Sequence, residues 1–74
     1  PDLAVNALVI DPQDTKVVYA GTDSGVWRTR NAGRTWEDFS NGLPNAIVGD
    51  LLLHAASRVL RAGTRARGAW AVNI

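Results

Sequence analysis

The sequence has 74 residues with 8 Lys and Arg, 7 Asp and Glu, 1 His and no Cys, for a formal net charge of +1. This length allows one small domain, which buries only about 60% of the surface that the unfolded chain exposes. Disulfides are excluded, a single histidine gives no ligand set for a closed zinc site, and no apolar run approaches the ~20 residues that span a bilayer. We therefore expect no metal, no cofactor and no membrane contact, and a core that is completed by oligomerisation or by a longer protein.

Four short strands are predicted in the first half of the chain from runs of β-branched, aromatic and alternating residues. They cover residues 5–10, 17–22, 26–30 and 35–40. Asp11-Pro12 begins a type I turn after the first strand, because proline suits the second turn position and aspartate bonds back to the backbone. Asp23-Ser24-Gly25 is a tight turn between the second and third strands. Turns of hairpin length make the strands antiparallel.

The pattern then begins again at a spacing of 42 or 43 residues. Leu8-Val9-Ile10 matches Leu51-Leu52-Leu53, Ala20-Gly21-Thr22 matches Ala62-Gly63-Thr64, and Gly25-Val26-Trp27 matches Gly68-Ala69-Trp70. The change in spacing falls between strands, where a structural repeat tolerates insertions. A period of ~40–45 residues with four strands per unit is typical of a propeller blade. Residues 50–61 contain good helix formers, but the repeat predicts strands there instead.

The second unit is incomplete, because it has no counterpart of the strand at residues 35–40. We therefore predict an all-β fold of antiparallel β-propeller blades in one structural unit, with a four-stranded blade at 1–42 and a three-stranded blade at 43–74. The apolar runs at 8–10 and 51–53 favour innermost strands that are buried on both faces between neighbouring blades. Unpaired strand edges and bare apolar faces at the two ends favour assembly.

Residues 29–36 read Thr-Arg-Asn-Ala-Gly-Arg-Thr-Trp. This segment resembles the Asp box, S-x-D-x-G-x-T-W, which lies on the hairpin between the third and fourth strands of a blade, as it does here. With its flanks, YAGTDSGVWRTRNAGRTWEDFSNGLP, it is similar to Asp-box (BNR-repeat) propellers of the sortilin, xyloglucanase and photosystem II assembly factor types. Thr29 replaces the usual serine and Asn31 the usual aspartate. Asparagine keeps the acceptor oxygen and loses the charge.

The resemblance implies a structural role for the hairpin, since in sialidases the Asp box lies away from the catalytic pocket. Thr29 and Asn31 are expected to accept hydrogen bonds from loop amides, and Gly33 to supply a positive φ. Trp36 is expected to fold over the hairpin into the space between blades. We predict a scaffold role for these four residues and for Thr35.

Catalytic chemistry has few candidates. A sialidase needs a tyrosine–glutamate pair, but we expect Tyr19 to pack in a middle strand and Glu37 to be solvated on an outer strand, in different parts of the blade. Glycosidases need two facing carboxylates, whereas Asp11 and Asp14 share a turn. Asp50 begins an inner strand beside the presumed central channel and is a candidate ligand-binding residue. We predict that the chain is not an enzyme.

Charge is unevenly distributed, with −3 over residues 1–50 and +4 over residues 51–74. The split suits an anionic ligand, self-complementary packing or solvated turns. Four arginines without interleaved aromatics argue against a nucleic-acid partner. Arg65 and Arg67 lie in the turn between the second and third strands of the second unit, and they are the candidates for holding an anion.

Two tryptophans and the histidine complete the set of candidates. Trp27 and Trp70 occupy equivalent repeat positions, where they either stack on sugars or pack between blades. His54 has a serine three residues later, but nothing resembles a nucleophile elbow, so we expect a turn histidine rather than a hydrolase triad.

The leading functional hypothesis is therefore a non-catalytic structural and interaction module. It completes its core as a homo-oligomer or within a longer propeller chain, and it offers a surface to a protein or a glycan. The alternative is part of a carbohydrate-active propeller, of glycoside hydrolase or sialidase type, or of a glycan-binding propeller, with an active site mostly outside these residues.

Overall fold

The computed structural model describes residues 4–40, 46–65 and 68–74, and it folds them into seven antiparallel β-strands. The strands are β1 Val5–Ile10, β2 Val18–Thr22, β3 Gly25–Thr29, β4 Glu37–Asp38, β5 Val48–His54, β6 Val59–Thr64 and β7 Ala69–Asn73. Helices are absent from the described residues, and strands occupy the stretch 50–61 that contains good helix formers. The all-β prediction is confirmed.

The first sheet has the order β1-β2-β3-β4, so each strand pairs with its neighbour in the chain. After β1, the Asp14 amide donates to the Asp11 carbonyl at 3.3 Å, and the Asp11 carboxylate accepts the Gln13 amide at 2.9 Å. These bonds close the predicted turn. Between β2 and β3 the two-residue turn ends at Gly25, whose φ of 95° is one that L side chains rarely adopt.

The second sheet has the order β5-β6-β7 and reproduces the first three strands of the first sheet. Leu8 pairs with Ala20 and Ala20 with Trp27, and the second sheet pairs their repeat counterparts in the same way. The pairing of β1 with β2 shifts register between Val5 and Ala7, and that of β5 with β6 shifts at the equivalent place. The sequence repeat is therefore a structural repeat, down to the irregularity in its first strand.

Some predicted boundaries differ from the observed ones. Strands β2 and β3 lie within one residue of the predictions, but β4 spans two residues rather than 35–40. Thr35 and Trp36 alternate in polarity as a strand does, yet the Thr35 amide is bound to the Asn31 side chain in the hairpin. The predicted boundary between residues 42 and 43 lies outside the described residues.

The two sheets pack face to face around one apolar core. The buried members of the core are Tyr19, Val26, Val48, Leu51, Leu60 and Ala62. The contacts concentrate where β5 lies against β1 and β2. At this place Gly21 leaves room for the second sheet, because a Cβ on Gly21 would lie 2.7 Å from Val48 Cγ1. The close approach of the sheets thus depends on a missing side chain.

A partly buried ion pair joins the sheets at one end of the core. Arg58 donates from Nη1 and Nη2 to the two carboxylate oxygens of Asp11, each at 2.8 Å. Asp11 is buried, and its bonds to Arg58 hold the pKa of its carboxyl at about 2, against an ordinary value of 3.8. The same contact raises the pKa of the Arg58 guanidinium. The sequence predicted only the turn-forming role of Asp11.

The first strands are not buried on both faces, contrary to the prediction for residues 8–10 and 51–53. Leu8 is 61% exposed, Ile10 58% and Leu52 61%. The reason is that each sheet has only one neighbouring sheet, so only one face of each first strand packs against another sheet. We call the face of the first sheet that has no neighbouring sheet the open face. It carries the exposed Val5, Leu8 and Ile10, the half-buried Val18, Trp27 and Trp36, and Ala20, which is only 2% exposed.

Candidate functional site

The hairpin between β3 and β4 is organised by the buried hydroxyl of Thr29. Its Oγ1 accepts the amides of Gly33 at 2.9 Å and of Asn31 at 3.3 Å, and it donates to Asn31 Oδ1 at 2.8 Å. Asn31 Oδ1 also accepts the Thr35 amide at 2.9 Å, and its amide nitrogen donates to Thr35 Oγ1 at 2.7 Å. The loop-amide bonds expected of Thr29 and Asn31 are present.

Two consecutive residues at the tip of this hairpin have positive φ. Gly33 has a φ of 92°, as expected, and Ala32 has a φ of 60°, which is uncommon for a residue with a Cβ. The Ala32 amide donates to the Lys16 carbonyl at 3.0 Å, and this bond ties the hairpin to the turn between β1 and β2. Side-chain bonds on one side and a backbone bond on the other fix the hairpin tip.

A polar cleft of about 400 Å³ opens beside the hairpin. It is lined by Arg28, Arg30, Asn31, Thr35, Trp36 and Glu37. Glu37 Oε2 lies 2.8 Å from Arg28 Nη2 and 3.0 Å from Arg30 Nε, so the carboxylate is paired with two guanidinium groups. Glu37 keeps 40% of its side-chain surface exposed, in agreement with the expected solvation, but its pairing with two arginines was not predicted. The pairing of β3 with β4 puts Arg28 opposite Glu37.

Tyr19 and Glu37 lie in one cross-strand row of the first sheet, with Arg28 between them. As expected, Tyr19 lies on a middle strand and Glu37 on the outer strand, and β3 separates them. Tyr19 is buried as expected, its ring lies 5.3 Å from that of Phe39, and burial raises the pKa of its hydroxyl. Arg28 sits 4.5 Å above the Phe39 ring. These contacts form a packed cluster.

A second cleft, of about 380 Å³, lies on the other side of the hairpin tip. Its walls include Lys16, Arg30 and Arg34, together with Asn31 and Ala32. The sequence did not indicate this convergence of three cations, because Lys16 belongs to a different turn. The backbone bond from Ala32 to Lys16 holds this turn against the hairpin.

The open face carries an apolar groove of about 260 Å³. It is lined by Val5, Leu8, Ala20, Thr22 and Trp36. Trp36 therefore lies where the first sheet lacks a neighbour, and Trp27 shares this face because it pairs with Ala20. The indole nitrogen of Trp27 is buried without a hydrogen-bond acceptor among the described residues.

The remaining candidates from the sequence are dispersed. Asp50 is exposed on the face of β5 that points away from the first sheet, whereas Trp70 packs against the core. Arg65 is exposed, and Arg67 lies outside the described residues. His54 Nδ1 lies 2.8 Å from Ser57 Oγ at the turn after β5. The structure thus brings Thr29, Asn31, Gly33, Thr35 and Trp36 together in the hairpin and leaves the other candidates apart.

The described ranges are residues 4–40, 46–65 and 68–74. Within those ranges no group of three or more His, Cys, Asp or Glu side chains could hold a metal ion. The same ranges contain no helix long and apolar enough to cross a membrane.

Comparison of the chain with protein-family models, with curated proteins and with solved structures found no match. The likeness of residues 29–36 to an Asp box therefore stays a prediction from the sequence.

Proposed function

We propose that the chain is a non-catalytic structural and interaction module of the β-propeller type, whose open face binds a further sheet of the same kind. The observation that carries this proposal is the open face itself. Val5, Leu8 and Ile10 are each at least half exposed there, around the apolar groove beside Trp36. Contiguous apolar surface of this kind marks interaction sites in soluble proteins.

The arrangement of the sheets supports the propeller part of the proposal. Two sheets related by a sequence repeat stack face to face, and their contacts concentrate on the first strands. Blades around an axis have this relation, because their inner strands lie close together and their outer strands diverge. The hairpin with the Asp-box-like sequence occupies the expected place between β3 and β4.

The free energy available from covering the open face is substantial. Complete burial of a Val, Leu or Ile side chain contributes about 1.5–3 kcal/mol, and these three side chains have about half of that still to gain. Binding of a sheet over the groove also removes the Trp36 ring from water. For a chain of 74 residues this is a large addition to a marginal core.

The proposal is tested by the mass of the isolated chain in solution. Sedimentation velocity or native mass spectrometry is expected to show concentration-dependent association, and Leu8→Asp is expected to abolish it by placing a charge on the open face. Thr15→Asp adds the same charge in an exposed turn and serves as the matched control. A wild-type chain that stays folded and monomeric at all concentrations contradicts the proposal.

The polar cleft favours a second candidate function, the binding of a glycan. Its wall combines the Trp36 ring with Asn31, Thr35 and two arginines, which supplies an apolar surface and several hydrogen-bond donors. A glycan array with the wild-type chain tests this candidate, and Arg30→Ala is expected to weaken any binding that uses the cleft. Binding that is equal in both proteins would place the glycan elsewhere.

A further inference from the structure

We infer that two copies of this chain associate head to tail, the open face of one copy packing on the second sheet of the other. This inference rests on the proposed function and names the partner and the two unlike surfaces that meet. The surface on the second sheet is the one turned away from the first sheet. We call it the far face; it carries Asp50, Leu52, Arg61, Gly63, Ala69 and Ala71.

The contact between the two sheets within one chain is the template for this association. In that contact the second sheet presents Val48, Leu51, Leu53, Leu60, Ala62 and Trp70. The residues at the equivalent repeat positions of the first sheet are Val5, Leu8, Ile10, Val18, Ala20 and Trp27. Four of these six pairs are identical, one of them a pair of tryptophans, and the other two exchange aliphatic residues. The open face is therefore a second copy of a surface that already packs against a sheet.

The other side of the template also recurs. Within the chain, Val48 and Leu51 fit against Gly21, where an added Cβ would lie 2.7 Å and 3.3 Å from their side chains. Gly63 is the repeat counterpart of Gly21 and lies on the far face. A Cβ there would meet only Asp50 Cβ, at an ordinary 3.5 Å. The far face thus has an unfilled space above Gly63, which we call the cradle. The open face has the Val5 and Leu8 side chains that match it.

The two surfaces differ, and this difference decides the symmetry. A surface that packs on itself forms a closed pair with twofold symmetry, whereas two unlike surfaces join copies head to tail. The open face is apolar and projects side chains. The far face is flat around Gly63, Ala69 and Ala71, with Leu52 exposed among them. The internal contact joins unlike faces, so the external one is expected to do the same.

The far face also sets an upper bound on affinity. Asp50 and Arg61 stand at the positions equivalent to Ala7 and Tyr19, so this face is more polar than its internal counterpart. His54 and Lys16 stand at the positions of Asp11 and Arg58, and they cannot reproduce the partly buried ion pair. Association between copies is therefore weaker than the packing of the two sheets inside one chain, and it depends on concentration.

A mixing experiment tests the inference with the full chain. Leu8→Asp disables the open face and leaves the far face intact, whereas Gly63→Val fills the cradle on the far face and leaves the open face intact. The association constant of each variant alone is expected to be at least tenfold below that of the wild type, measured at concentrations up to about 1 mM. An equimolar mixture is expected to restore a heterodimer, because it supplies one intact surface of each kind. Circular dichroism confirms that both variants fold.

Matched controls and alternative outcomes complete the test. Ala55→Val adds two methyl groups in an exposed turn, and Thr15→Asp adds the same charge as Leu8→Asp; both are expected to associate as the wild type does. If Gly63→Val alone associates like the wild type, the far face is not used and the head-to-tail inference is overturned, while the proposed function stands. If the wild type itself never associates, the proposed function fails, and the inference fails with it.

Discussion

The Asp11–Arg58 pair connects the two sheets through side chains 47 residues apart. Asp11 has two tasks, because one of its oxygens also accepts the Gln13 amide in the turn after β1. Local sequence shows the turn, since aspartate before proline is a short-range signal. It cannot show the ion pair, because that depends on how closely the sheets stack. A residue can thus be assigned correctly to a turn while its larger electrostatic role stays hidden.

The variant Arg58→Gln is expected to raise the pKa of Asp11 from about 2 to its ordinary 3.8 or above. The main cause of the low value is the hydrogen bonding by Arg58, and burial opposes it, so removal of the guanidinium leaves burial to act. The pKa is measured from the carboxyl carbon shift in an NMR titration. Arg61→Gln, at an exposed arginine of the same sheet, is the control. An unchanged Asp11 pKa in Arg58→Gln would contradict the assignment of the shift.

The depressed pKa of Asp11 also predicts how stability depends on pH. A carboxyl whose pKa is lower in the folded than in the unfolded state stabilises the fold above its unfolded pKa, near 3.8. That contribution is lost as the pH falls from about 4 through about 2. Urea unfolding followed across this range is expected to show a steeper loss of stability in the wild type than in Asp11→Asn. Equal slopes in the two proteins would count against it.

Thr29→Val tests the hydroxyl that organises the hairpin. Valine keeps the volume and β-branching but leaves the Gly33 and Asn31 amides without their shared acceptor. Each of these two hydrogen bonds contributes about 0.5–1.5 kcal/mol, so the free energy of unfolding is expected to fall by about 1–3 kcal/mol. Thr35→Val is the control, since Thr35 is exposed and its loss is expected to matter less. Urea denaturation measures both, and equal losses would argue against a central role for Thr29.

At the scale of elements, the strands were predictable because the sequence patterns of the first three strands recur in the second half of the chain. The repeat identified β5, which local propensity alone would not separate from a helix. The fourth strand has no counterpart in the repeat. It was predicted at residues 35–40 and is shorter because Thr35 and Trp36 belong to the hairpin. The polar cleft was not predictable, since it requires Arg28 of β3 and Glu37 of β4 to lie opposite each other.

The spacing of the two sheets is expected to depend on Gly21. Gly21→Ala places a Cβ against Val48 Cγ1, and overpacking of this kind destabilises by about 1–3 kcal/mol. Val48→Ala in the same molecule removes the obstructing methyl groups, so the double variant is expected to lose less than the sum of the single losses. Gly63→Ala is the matched control, with no close neighbour, and is expected to leave the stability of the monomer nearly unchanged. Urea unfolding at low protein concentration measures all four.

At the scale of the whole molecule, the sequence predicted uncovered apolar faces at both ends but not which residues form them. The core takes in one face of each sheet, and the choice of face follows from the direction of stacking. That direction leaves the more apolar face, with Val5, Leu8 and Ile10, on the first sheet. Hydrophobic pattern alone could not decide this, because the strands at 8–10 and 51–53 are apolar at successive residues and fit either direction.

Thermal stability is expected to depend on protein concentration. Association that requires the folded state shifts the unfolding equilibrium by mass action, so the midpoint Tm rises with concentration. Leu8→Asp removes the association, and its Tm is expected to stay constant over the same range. Differential scanning calorimetry at several concentrations measures this. A wild-type Tm independent of concentration would show that the open face gains nothing from a second copy.

The positions of the three tryptophans allow fluorescence to report on the association of copies. Trp27 and Trp36 belong to the open face, whereas Trp70 packs against the core between the sheets. Emission from the first two rings responds to water leaving the groove, and emission from the third responds to water entering the core. A blue shift as the protein concentration rises is therefore expected from Trp27 and Trp36 and not from Trp70, and single Trp→Phe replacements can assign it without any attached dye.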